Sequence, residues 1–133
     1  MERPKVIVVN TDPIFLQLID DVLTEQGYNT IPCKESRGVY QAIREQRPDL
    51  IILDIRLSNP EEGWQLLEVL KFDPETKDIP IIVASADRLF LQAKEAHLRD
   101  KGCFILEKPF ELDDLLAVIK KAEAARHADG DNC

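Results

Sequence analysis

Three polar side chains each stand at the end of an apolar run, and their types suit phosphoryl chemistry. Asp54 ends the run LIILD, Ser85 ends IPIIVAS, and Lys108 follows CFILE. A carboxylate can serve as a nucleophile or a metal ligand, a hydroxyl donates a hydrogen bond, and an ammonium balances negative charge. Helix capping would explain Asp54 alone. Together, on neighbouring strand ends, the three predict a site that holds a phosphoryl group on Asp54.

These side chains converge only if the apolar runs lie parallel in one sheet. Short β-rich runs alternate with amphipathic segments of helical period. The predicted strands are 5–9, 28–33, 50–54, 79–84 and 103–106, and the predicted helices are 13–26, 36–46, 64–72, 87–101 and 111–125. Strict alternation predicts an α/β fold with a doubly wound, five-stranded parallel sheet and five helices, because each parallel connection needs a crossover. Ligands of such folds bind at the carboxyl ends of the strands.

Composition narrows the class of protein. The 133 residues are enough for one domain, and 44% apolar with 32% charged residues is typical of a soluble globular protein. A net charge of −8 argues against binding to nucleic acid or to an anionic membrane surface. No apolar run approaches the length of a membrane span, and no signal peptide is evident, so we expect a cytoplasmic protein. We expect one domain over residues 1–125 and a polar tail over 126–133.

Three stretches carry a resemblance to a known family: RPDLIILDIRL, IPIIVASA and EKPFELDDLL, each in register with a predicted strand end. Over residues 5–125 the chain resembles the receiver domains of two-component response regulators. The resemblance implies a flavodoxin-like fold. It further implies that Asp54 is the phosphoacceptor, that Ser85 reorients towards the phosphoryl group, and that Lys108 contacts it.

The resemblance also implies a metal ion, partners and a conformational response. The carbonyl of Arg56 would be a ligand of Mg²⁺, and the bond between Lys108 and Pro109 would be a cis peptide. A histidine kinase or another signalling protein would be the partner, and phosphorylation would bias an equilibrium at the surface of helix four, strand five and helix five. The same surface is a candidate for a homodimer.

The end of the first strand departs from the family. Family members end it with two adjacent acidic residues that hold Mg²⁺, whereas this chain has Asn10 and Thr11. Neutral oxygens are weak ligands, so we expect weak Mg²⁺ binding at most. Asp12 lies one position further on, and we favour helix capping over metal binding for it. Arg56 is either a solvent-exposed residue, which we favour, or a cation that stands in place of the metal beside Asp54 or Asp12.

Two further departures concern the surroundings of the site. The switch position, three residues before the lysine and usually aromatic in the family, is Ile105, and we expect the loop after Asp54 to be one residue longer than the common form. Leu89 and Phe90 open the predicted fourth helix as a candidate partner surface, with a wide buried stripe as the alternative. Ile14, Phe15 and Leu18 open the first helix and resemble the surface on which partners of family members dock, but we favour core packing for at least two of them.

Three functions compete. The first, which we favour, is an atypical stand-alone receiver that acts through protein–protein contacts, with phosphorylation at Asp54 weak or absent. The second is a conventional Mg²⁺-dependent switch that accepts a phosphoryl group from a histidine kinase or a small phosphodonor. The third is an aspartate-nucleophile phosphohydrolase of the haloacid dehalogenase-like class. That class needs a second aspartate two residues after the nucleophile, where this chain has Arg56. We therefore expect no enzyme.

Overall fold

The computed structural model of the protein describes residues 3–35, 38–54, 60–108 and 110–131, with the side chains of all of these except 60, 61 and 126–131. Strands and helices alternate along the whole of this part of the chain. The strands are β1 (Lys5–Val9), β2 (Asn29–Cys33), β3 (Leu50–Asp54), β4 (Ile81–Ser85) and β5 (Cys103–Glu107). The helices are α1 (Pro13–Glu25), α2 (Val39–Gln46), α3 (Pro60–Phe72), α4 (Arg88–Asp100) and α5 (Leu112–Asp131).

The five strands form one parallel sheet in the order β2-β1-β3-β4-β5. Ile7 of β1 is paired with Ile51 of β3, and Val9 with Leu53. The strand order reverses between β1 and β3, because β2 lies on one side of β1 and all later strands lie on the other. The carboxyl ends of β1 and β3 therefore border the crevice in which ligands bind to this type of sheet. The predicted α/β, flavodoxin-like fold is confirmed.

The sheet is buried on both faces, which explains why its central strands are continuous apolar runs. Alternate residues of β1 and β3 pack under α2, α3 and α4 on one face and under α1 and α5 on the other. The first face contains Ile7, Val9, Ile51, Leu53, Ile81 and Val83. The second face contains Val6, Val8, Leu50, Ile52, Ile82 and Ala84. Burial of each Val, Leu or Ile side chain contributes about 1.5–3 kcal/mol, so this core fixes the strand ends that carry the site.

Several helix boundaries differ from those expected. Helix α3 begins at Pro60, four residues before the predicted start at Trp64. Proline suits the first turn of a helix. Gly63, the residue that suggested a loop, lies within the helix, where a single glycine is tolerated. Helix α5 continues to Asp131, beyond the expected end at residue 125. The expected start of α2 at Ser36 lies outside the described residues.

The extended α5 bears on the expected domain organisation. The segment predicted as a polar tail, residues 126–133, begins inside this helix. The division at residue 125 itself stays a prediction. Within the described ranges, none of the helices combines the length and the apolar character needed to cross a membrane.

Candidate functional site

The ends of β1 and β3 bring Asn10 and Asp54 side by side. Val9 is paired with Leu53, so the next residue of each strand lies at the same level of the sheet. Side chains alternate along a strand, which puts Asn10 with Val8 and Asp54 with Ile52, on the face covered by α1 and α5. Asn10 is 2% exposed, and the Asp54 side chain is 16% exposed. Both groups are therefore largely shielded from solvent.

Lys108 supplies the positive charge beside Asp54. Its Nζ lies 3.4 Å from Asp54 Oδ2, and the ammonium also lies 4.4 Å from the centroid of the Phe15 ring. Its backbone N–H donates to the carbonyl of Ser85 at 2.9 Å, which ties the residue after β5 to the end of β4. Carboxylate and ring face both attract the ammonium, so its position is fixed from two sides. The pairing with Asp54 brings together two of the residues that the sequence singled out.

Ser85 lies on the neighbouring strand end, and its side chain is already engaged in a turn. The residue is 1% exposed, and its Oγ accepts a hydrogen bond from the N–H of Asp87 at 3.0 Å. Asp87 in turn caps α4, with Oδ1 accepting from the Phe90 N–H at 3.0 Å. In the alternation of β4, Ser85 belongs to the face covered by α2 to α4. The Ser85 side chain therefore belongs to the face of the sheet opposite to that of Asp54 and Lys108.

The polar cluster after β1 is organised as a turn into α1. Asn10 Oδ1 accepts from the Asp12 N–H at 2.8 Å, and the Asn10 N–H donates to the carbonyl of Cys33 at 3.0 Å. Asp12 caps α1 by accepting from the Ile14 N–H at 3.0 Å, as the sequence favoured. Thr11 is exposed. Asn10 Nδ2 is buried and has no acceptor among the described residues.

This donor set does not fit the divalent cation that the resemblance implies. The oxygen of Asn10 and one oxygen of Asp12 accept backbone hydrogen bonds, and Asp54 is paired with Lys108. Nowhere in the described ranges do three His, Cys, Asp or Glu side chains group in a way that could hold a metal ion. Mg²⁺ in proteins is held by one or two carboxylates with waters and phosphate oxygens. The remaining residue of the expected metal site, Arg56, lies outside the described residues, as does Pro109 of the expected cis peptide.

The switch position and the predicted partner surface are partly packed. Ile105 is half-buried on the α2–α4 side of the sheet, and Phe104 is half-buried on the opposite side. Phe90 packs edge-on against Trp64 of α3, with ring centroids 6.1 Å apart. Leu89 is 78% exposed. Of the two residues proposed as a partner surface, only Leu89 is thus largely open to solvent.

The start of α1 is more exposed than the sequence predicted. Ile14 is 79% exposed and Leu18 is 57% exposed, so the expectation of core packing for at least two of the three residues was wrong. Phe15 does pack, edge-on against Phe110 with centroids 6.1 Å apart, and it carries the Lys108 ammonium on its face. Sequence reasoning missed this role of Phe15, because an aromatic residue in a helix gives no sign of a cation four or five ångströms away.

These features define a class: a doubly wound domain whose third strand ends on a lysine-paired aspartate. The family described as response regulator receiver domain matches residues 6–120. A polar-differentiation response regulator DivK from Brucella anthropi is 32% identical over 117 residues, which cover 86% of this chain and 92% of that protein. A putative response regulator from Chloroflexus aurantiacus superposes with a TM-score of 0.80 at 27% identity, covering 92% of this chain and 99% of that one.

Similarity also extends to part of a larger protein. NtrX from Brucella abortus superposes with a TM-score of 0.82 at 22% identity, but this chain spans only 29% of the length of NtrX. At that identity the likeness concerns the fold alone. The family match and the DivK relative establish the identity: the chain belongs to the response regulator receiver domain family of two-component signalling.

Proposed function

We propose that the protein is an atypical stand-alone receiver that transmits its signal through protein–protein contacts, with phosphorylation at Asp54 weak or absent. The observation that carries this proposal is the end of β1. There the oxygen of Asn10 and one oxygen of Asp12 accept hydrogen bonds from the backbone of the turn into α1. This arrangement supports the atypical function, because oxygens that are engaged in the turn are poorly placed to hold a metal ion.

Electrostatics explains why phosphorylation would be weak. A phosphoryl donor carries negative charge towards the Asp54 carboxylate, and a divalent ion normally screens that repulsion. Lys108 contributes one positive charge, which it already shares between Asp54 and the ring of Phe15. One shared ammonium does not replace a divalent ion. We therefore propose that Mg²⁺ binds weakly and is not a resident cofactor.

Partners follow from the family and from the exposed apolar residues. We propose a cytoplasmic protein whose partner is a histidine kinase or another signalling protein. The similarity to DivK over 92% of that protein's length supports a stand-alone receiver. Leu89 on α4 and Ile14 and Leu18 on α1 are exposed apolar side chains suited to protein contacts. A homodimer through α4, β5 and α5 is part of the same proposal.

A conventional Mg²⁺-dependent switch is the second candidate. The 3.4 Å pair of Lys108 with Asp54 and the buried Ser85 at the neighbouring strand end favour it, since these groups would hold a phosphoryl group on Asp54. In this alternative, Asp54 accepts the phosphoryl group from a histidine kinase, and water molecules at the β1 end complete the shell of the metal.

Phosphorylation assays separate the two candidates. The protein is incubated with a small phosphodonor at millimolar Mg²⁺ and examined by intact mass, with Asp54→Asn as control. Trp64, whose ring contacts Phe90 and lies 5.0 Å from Lys94 Nζ, reports movement of α4 by fluorescence. We expect little or no adduct and little change in emission. A stoichiometric adduct that Asp54→Asn abolishes would establish the conventional switch.

A further inference from the structure

We propose that the buried Asn10 amide nitrogen is a donor to a phosphoryl-type oxyanion beside Asp54, so that this pocket binds such a group without a divalent cation. The inference rests on the proposed function, because it takes the site to be free of a resident metal. It adds a role for one side chain and a ligand chemistry for the β1 end.

The orientation of the Asn10 amide is fixed by its own turn. The Asp12 N–H requires an acceptor, and the Asn10 side chain supplies it at 2.8 Å, which identifies that atom as Oδ1. The other terminal atom is therefore Nδ2, with two N–H donors. Asn10 is 2% exposed, and Nδ2 meets no acceptor in the part of the chain that the structure describes. A buried donor without an acceptor is unfavourable, so an oxygen atom delivered by a ligand stabilises it.

The position of this donor relative to Asp54 follows from the sheet. Val9 and Leu53 are paired in register, so Asn10 and Asp54 occupy the adjacent ends of β1 and β3 on the same face. Lys108 Nζ, 3.4 Å from Asp54 Oδ2, approaches on that face as well, where Phe15 of α1 holds it. One neutral and one charged donor thus belong to the same face of the sheet as the carboxylate, and a phosphoryl-type group beside Asp54 presents several oxygens to them.

The same geometry disfavours a cation. A divalent ion at this place requires Asn10 to turn its oxygen inward, and that rotation leaves the Asp12 N–H without its acceptor. The Nδ2 hydrogens carry partial positive charge, which repels a cation and attracts an oxyanion. The pair of Asp54 with Lys108 is formally neutral, so it adds no net negative charge that would draw in a metal ion. The carboxyl end of β1 therefore favours the oxygen of a bound anion over a metal ion.

Beryllofluoride, a phosphoryl mimic, is the probe in the test. It is titrated into the full chain in buffer freed of every divalent cation except the beryllium of the probe, and again at millimolar Mg²⁺. Binding is followed by ¹⁹F NMR, and the Asn10 side-chain amide is followed by ¹H–¹⁵N correlation spectra. We expect saturable binding without Mg²⁺, little change when Mg²⁺ is added, and a selective shift of the Nδ2 protons.

Two variants isolate the donor. Asn10→Asp keeps an acceptor for the Asp12 N–H and removes Nδ2, so metal-free affinity should fall about tenfold to a hundredfold, the range for a lost hydrogen bond to a charged group. Thr11→Asp adds the same negative charge at the exposed neighbouring position and keeps Asn10 Nδ2. Its loss of metal-free affinity should therefore be much smaller. If Asn10→Asp fails to fold, the chemical-shift change of the Nδ2 protons in the unmodified protein still tests whether Asn10 donates to the probe.

Three results would overturn the inference. They are binding that requires Mg²⁺, equal losses in the two variants, and no binding in either buffer. The last of these leaves the proposed function standing, since a receiver that works without phosphorylation needs no oxyanion. The proposed function fails separately, on a stoichiometric Asp54 adduct in the mass spectrum. The two failures are therefore distinguishable.

Discussion

The carboxyl ends of β1 and β3 lie next to each other and have opposite chemical character. Both strands are buried apolar runs paired in register over Val6–Val9 and Leu50–Leu53. At the next residue, β3 presents a carboxylate held by Lys108, whereas β1 presents an amide whose oxygen is tied to the turn. The apolar interior of each strand is required by the fold, whereas the residue at its carboxyl end can differ between strands and determines the chemistry there. We therefore expect the receiver fold and metal-dependent phosphorylation to be separable properties, and the predictions below test this.

The largest expected effect tests whether β1 and β3 contribute equally to the stability of the core. Ile7 and Ile51 are register partners, and each is 0% exposed. Ile7→Ala and Ile51→Ala should each lower the free energy of unfolding by about 2–5 kcal/mol, because each leaves a cavity in the same layer. Urea denaturation measures both. A clearly smaller loss for Ile7→Ala would mean that β1 is not as integral to the core as β3.

The next effect concerns the charge at the β3 side of the site. Lys108→Met keeps the length of the side chain and removes the ammonium, so beryllofluoride affinity should fall about tenfold or more. Arg88→Ala is the matched control, because Arg88 pairs with Glu107 at the exposed end of β5 and not with Asp54. Titration calorimetry compares the two variants. Similar losses would indicate that general positive charge, and not the Lys108–Asp54 pair, governs binding.

A smaller effect tests the assignment of Asp12 as a cap. Asp12 caps α1 after β1, and Asp87 caps α4 after β4, each with Oδ1 at 3.0 Å from a backbone nitrogen. Asp12→Ala and Asp87→Ala should each reduce the free energy of unfolding by about 0.5–2 kcal/mol. Thermal unfolding with and without Mg²⁺ measures this. Stabilisation of the unmodified protein by Mg²⁺ that disappears in Asp12→Ala would show that Asp12 is a metal ligand after all.

The sequence predicted the strands and the convergence of Asp54 with Lys108 for one physical reason. Each buried strand is an uninterrupted apolar run, so a polar residue that ends it must lie at the rim of the sheet. The helix boundaries were harder to predict from the sequence than the strands. Gly63 suggested a loop, yet α3 begins at Pro60 and includes this glycine. In α5 the helix runs on to Asp131, past the polar residues that suggested a tail.

Contacts between distant residues were not predictable from local pattern. Ile14 and Leu18 have helical spacing suited to a buried stripe, but α1 buries Leu16, Ile19 and Leu23 instead and leaves these two exposed. The contact of Phe15 with Lys108 joins residues far apart in sequence. The direction of the Asn10 amide depends on the backbone path of the turn to Asp12, which residue types alone do not define.

The smallest effect comes from the opposite end of the sheet, where a second aspartate contrasts with Asp54. Asp73 follows α3 near the amino ends of the strands. It accepts a hydrogen bond from the Tyr40 hydroxyl and lies 3.8 Å from Arg44 Nε. The Tyr40 hydrogen bond, with further help from the Glu75 backbone N–H and Arg44, lowers the pKa of Asp73. A lowered pKa means that the ionised form stabilises the fold above the ordinary aspartate pKa, and that this contribution is lost as pH falls through the folded-state value.

Tyr40→Phe removes the largest cause of that shift, so the pKa of Asp73 should rise towards its ordinary value. The variant should be less stable than the unmodified protein at neutral pH, and the difference should shrink as the solution is acidified below pH about 4. Urea midpoints across this range measure the difference. In an Asp73→Asn background the same substitution should show no such pH dependence, because no carboxylate remains to titrate. A pH-independent cost of Tyr40→Phe in the unmodified background would mean that the tyrosine stabilises the fold by packing alone.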